Sequence, residues 1–146
     1  MNDTVTIITS ITNNQIVKSF GGAGYQPLKF SPGSEFLVSQ QFVHDLQSLA
    51  SVIGGLEGEA TKAVLRGLPL LPENEPVARQ SQNFSSISHH WCMVDIDSLP
   101  WDGDLQDHKA MLEYASSQLP AEFQQADCWY HFSSSMGIKA GIRVHL

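Results

Sequence analysis

The chain has 146 residues, 42% hydrophobic and 16% charged, with a formal net charge of −7. That composition describes one soluble globular domain, long enough to bury a core without disulfide or metal staples. The acidity excludes a broad nucleic-acid surface, which needs clustered Lys and Arg, but it leaves room for a local basic pocket or an acidic cation site.

The opening "MNDTVTIITS" has no basic region followed by an apolar core, and no apolar run approaches the roughly 20 residues of a membrane span. The expected location is the cytoplasm, without membrane contact. "TVTIITSIT", Thr4 to Thr12, has the β-branched density of a strand. The glycine-rich turn "SFGGAGYQPLKFSPGS" follows. Its "GGAG" looks like a phosphate loop but lacks the closing Lys-Ser/Thr, so it reads as a flexible loop. Ser34 is placed to cap a helix through "EFLVSQQFVHDLQSLASVI", with Phe36, Leu37, Phe42, Val43, Leu46 and Leu49 on one side and Gly54-Gly55 as the stop.

A short strand is expected around Ala63 to Gly67, then a proline-punctuated loop. A strand in "HHWCMVDIDSLPW" is broken by "LPWDGD", and "LQDHKAMLEYASSQL" has helical spacing up to Pro120. The strands "DCWYHFSS" and "GIRVHL" complete the order. Cys92 and Cys128 fall in predicted core strands and read as buried free thiols. No spaced Cys/His set supports structural zinc.

Side chains alternate across a strand, so residues two apart share a face. Cys92, Val94 and Ile96 oppose Asp95 and Asp97. Cys128, Tyr130 and Phe132 oppose Trp129, His131 and Ser133. Ile142, Val144 and Leu146 oppose Gly141, Arg143 and His145. A merely wet sheet face is common, but this one holds two Asp, two His, an Arg and a Ser, without the Lys, Glu and Thr of a solvated surface. Two carboxylates on one strand face suit a hard divalent ion, Mg²⁺ or Mn²⁺. Arg143 and His145 suit phosphates, and the turn from Ser133 to Ser135 with Gly137 and Lys139 offers hydroxyl and backbone N–H donors.

In this order the motifs look familiar. "MVDID" resembles the hydrophobic-hydrophobic-Asp-hydrophobic-Asp motif of the archaeo-eukaryotic primase (primase-polymerase) superfamily. "YHFSSSMGIKAGIRVHL" resembles its second motif, and replication proteins of plasmids, phages and integrated elements are the nearest type. The resemblance runs from about Ala60 onward. It implies an α+β fold with a mainly antiparallel sheet and helices on one face, of the primase-palm or RNA-recognition-motif-like type. It also implies a metal-dependent DNA primase/polymerase using nucleoside triphosphates and a DNA template, with a replicative helicase domain or protein as a possible partner. Carried over residue by residue, Asp95 and Asp97 are the metal carboxylates and His145 the catalytic phosphate-contacting His. Ser134, Ser135, Lys139 and Arg143 are nucleotide-binding candidates. Arg143 departs from the pattern, standing where the family has a small residue. The family's third carboxylate has no counterpart, so residues 1–146 are expected to be the N-terminal part of a longer catalytic domain, incomplete alone. Asp102, Asp104 and Asp107 are better explained by capping and solvation than as that third ligand.

Two other readings compete. In a haloacid-dehalogenase-like phosphatase Asp95 is the nucleophile and Asp97 the acid/base, although Ser98-Leu99 stands where that family has Gly-Thr. In a non-catalytic binding module the polar face meets a protein partner. Arg66 and Arg79 read as solvated loop residues, His131 as an ordinary strand histidine, and Trp91, Trp101 and Trp129 as core or rim aromatics.

Overall fold

The computed structural model describes residues 3–16, 20–21, 26–27 and 35–146. In chain order these form β1 (Asp3–Ser10), β2 (Phe20–Gly21), β3 (Gln26–Pro27), β4 (Glu35–Val43), α1 (Leu46–Gly54), β5 (Lys62–Leu65), β6 (Leu68–Pro69), β7 (Val77–Ala78), β8 (Phe84–Ser85), β9 (Asp95–Leu99), α2 (His108–Ser117), α3 (Ala121–Gln124), β10 (His131–Phe132) and β11 (Ile142–His145). Every strand pair among them is antiparallel. The expected α+β class with antiparallel sheets is thus what the chain adopts. The described residues cluster into two compact units, one of residues up to Trp91 and one of Cys92–Leu146.

In the first unit the sheet order is β5-β1-β4-β7. Strand β1 is buried on both faces, the usual reason a strand reads as a continuous β-branched run. Val5 and Ile7 join Val43 and Leu49 of α1 in one core cluster. Ile8 joins Phe36, Val38 and Val77 in another. At the strand's start the Asp3 carboxylate is buried. It accepts from the backbone N–H groups of Thr4 (2.7 Å) and His90 (2.6 Å) and lies 2.7 Å from His89 Nδ1.

The helix expected over residues 35–53 is a correction. Its first half is β4, paired with β1 from Asp3↔Val43 to Ser10↔Phe36. Eight paired residues and the burial of Phe36 and Val38 on one face outweigh the helical stripe, even though the strand leaves Phe42 77% exposed. The helix begins later, where Asp45 accepts from the Ser48 N–H (2.7 Å) and Ser48 Oγ accepts from the Asp45 N–H (3.1 Å), a reciprocal cap. Ser34, the expected cap, lies outside the described residues, as does the "GGAG" loop apart from Gly21.

In the second unit the order is β10-β11-β9. Helix α2 starts at Asp107, whose carboxylate accepts from the Ala110 N–H (3.0 Å), the capping role expected of it. Its Met111 and Ala115 pack with Ile142 and Val144, all fully buried, against Ile96, Leu99, Trp101, Leu112 and Phe132. The two cysteines correct another expectation, for both are exposed. The ladder of the aspartate strand reaches back only to Val94, which exchanges two hydrogen bonds with Leu146 (2.8 and 2.9 Å) and leaves Cys92 ahead of the pairing. "DCWYHFSS" enters the sheet only at His131–Phe132, so Cys128 lies outside it.

Candidate functional site

The sheet of the second unit brings together the residues expected on its polar face. Across the ladder His131 pairs with His145, and His145 with Asp95. These three residues form one row from edge to edge, with His145 Nε2 3.3 Å from Asp95 Oδ1. Trp129 stacks on His131, its ring plane within 2° and the centroids 6.0 Å apart. The Asp95 and Asp97 side chains are both 64% exposed. Each carboxylate is therefore reachable from solution, although Asp97 Oδ1 already accepts from Arg143.

The second row contains an irregularity. Val144 pairs with Ile96 and Ile142 with Leu99, so Arg143 alone faces both Asp97 and Ser98, a β-bulge. Ser98 takes φ 67°, which non-glycine residues rarely adopt. Arg143 uses both: one terminal nitrogen donates to Asp97 Oδ1 and the other to Ser98 Oγ. The bulge also returns Leu99 to the core with Ile96, although the two are three residues apart. On the β11 side, Gly141 (φ 79°) lets the chain come close, since a Cβ there would stand 2.6 Å from the Leu99 carbonyl oxygen.

Arg143 is 8% exposed and points at Asp97 rather than outward to solvent. Its Nε is buried and has no hydrogen-bond partner. Ser135 is buried and its hydroxyl lies 2.8 Å from that of Ser133, which makes it a support of the turn rather than an open donor. Ser134 and Lys139 are exposed in the same turn, and Lys139 N–H donates to Ser135 O (3.0 Å). The part of Ser98 was missed by reading the sequence. The signal available was only that "DIDSL" cannot alternate strictly and still bury Leu99. Trp101, expected as a core or rim aromatic, is partly buried against the core cluster and its ring lies beside that of Tyr114. Arg66 and Arg79 are exposed in the first unit.

Two hard carboxylates fit Mg²⁺ or Mn²⁺ in donor type, and among the described residues no group of three or more His, Cys, Asp or Glu is arranged to hold a metal ion. Two protein carboxylates suffice where substrate phosphates complete the shell. The residues therefore fit an ion carried with a phosphate ligand better than a closed protein cage. No helix among the described residues is long and apolar enough to cross a membrane. No family model, curated protein or solved structure matches the chain.

Proposed function

We propose that the polar face of the β10-β11-β9 sheet binds a nucleoside triphosphate with Mg²⁺ or Mn²⁺ for template-directed nucleotidyl transfer on DNA, in the manner of the primase-polymerases that the motifs resemble. The observation that carries this reading is the convergence of Asp95, Asp97, Arg143 and His145 on one face of three antiparallel strands. The antiparallel order and the α2 packing on the opposite face, which leave the polar face of the sheet uncovered by that helix, support the same reading.

In this reading Asp95 and Asp97 hold the ion, and Asp95 is kept in place by His145 beside it. The ion supplies charge neutralisation at the reacting phosphate. His145, 39% exposed in its side chain, donates to a phosphate oxygen from the middle strand. Ser134 and Lys139 line the turn that leads into that strand and add a hydroxyl and a cation to the phosphate path. Ser135 holds the turn's shape through Ser133.

Calorimetric titration of ATP, with and without Mn²⁺, tests the reading on the wild type beside D95A and H145A. Mn²⁺-dependent binding that weakens at least about tenfold in each variant is the expected result, the loss of one charge-assisted contact. Equal binding in all three proteins, or none in any, overturns it and leaves the face as a partner surface.

A further inference from the structure

Arg143 is the one residue of this face that departs from the family pattern, and it is also the one most constrained by the fold. Its side chain is nine-tenths buried. A guanidinium stays protonated at any ordinary pH, so burial requires a fixed counter-charge. Asp97 supplies that charge, and the Ser98 hydroxyl takes the other arm of the fork. The strand accommodates an extra residue, in a rare backbone conformation, at the point where this fork closes. Meanwhile Nε is left buried and unpartnered. The guanidinium is therefore committed to Asp97 yet incompletely satisfied by it.

Resting on the reading proposed above, we infer that Arg143 is an internal counter-ion of Asp97 that makes divalent-ion capture depend on the nucleotide. A lone Mn²⁺ approaching the aspartate pair meets one carboxylate already neutralised by a fixed positive charge. It gains one free carboxylate and is repelled by the guanidinium. A triphosphate changes both terms. Its oxygens give the ion the ligands the protein lacks, and they give the guanidinium an alternative bidentate acceptor. Asp97 is then released to the ion. Metal and nucleotide thus bind with positive coupling, and by linkage each raises the affinity of the other by the same factor.

The experiment is a calorimetric titration of Mn²⁺ into the full chain, with and without saturating ATP, for wild type, R143M, R143Q and R143K. Circular dichroism is the check that each is folded. The wild type is expected to bind Mn²⁺ at least about tenfold more tightly with ATP than without. R143M and R143Q are expected to bind Mn²⁺ alone about tenfold more tightly than wild type and to lose most of the ATP advantage. R143K keeps the charge and is expected to keep the coupling. R143Q answers the question if R143M does not fold. Unchanged or weaker binding of Mn²⁺ alone in a folded neutral variant overturns the inference. If Mn²⁺–ATP still binds the wild type and is lost in D95A, the nucleotide reading survives that failure. If Mn²⁺ binds no variant under either condition, both fall.

Discussion

Single residues of this chain carry distinct electrostatic roles. Burial opposes the charge of Asp3, but the His90 N–H, the His89 ring and the Thr4 N–H outweigh it and hold its carboxyl below the ordinary value. A carboxyl lowered in the folded state contributes stability above its unfolded value near 3.8. That contribution is lost as pH falls through the lower folded value. Asp3→Asn is therefore expected to lower Tm at neutral pH and to flatten its decline between about pH 5 and pH 3, where carboxylates titrate. Thermal melts across that range check both. At Ser98 the backbone sets the constraint. Ser98→Val forces a β-branched side chain into positive φ and is expected to cost about 1–3 kcal/mol. Denaturant unfolding measures that loss.

Among the elements, β11 and β9 show what could be foreseen and what could not. Alternation in "GIRVHL" was enough to separate Ile142 and Val144 from Arg143 and His145, because side-chain parity is a local property. The row His131–His145–Asp95 depends on register, a tertiary property, and the register that forms it also brings Phe132, Val144 and Ile96 together in the core. The bulge was not legible, since Ser98 is not a glycine and nothing local demands positive φ there. Strand β4 departs from the expected helix for a related reason. "EFLVSQQFV" has apolar residues at spacings that suit a helix face, and only eight partners on β1 decide the matter. The cap at Asp45, by contrast, is legible in the Asp-x-x-Ser spacing, a fuller signal than Ser34 alone. Gly141 makes the element-scale prediction. Gly141→Ala combines φ 79° with a Cβ contact on backbone oxygen, which cannot move cheaply. The expected loss is about 1–3 kcal/mol, read from the midpoint of a urea titration.

For the whole molecule, charge decides how a polyanion is met. Cys92–Leu146, the segment with the proposed site, holds eight Asp and Glu against three Lys and Arg. Such a segment cannot attract DNA by broad counterion release. With the divalent ion chelated, single-stranded DNA is expected to bind weakly. The slope of log affinity against log salt should be no steeper than about −2, the limit for two or three neutralised phosphates. Fluorescence anisotropy of a labelled oligonucleotide across a salt series checks this, and a slope several-fold steeper argues for a basic surface elsewhere. The acidity legible in the composition thus limits the mode of nucleic-acid contact, while the motif positions carry the chemistry.

The Ser98 bulge also says something about insertions and deletions. Ile142 to Val144 spans two steps on β11 while Leu99 to Ile96 spans three on β9. Remove Ser98, and "DIDL" matches its neighbour step for step with both aspartates still outward and both apolar residues still inward. The core has no use for the extra residue. Its hydroxyl serves only the guanidinium of Arg143, so a shortened chain should keep its fold and give up the second arm of that fork.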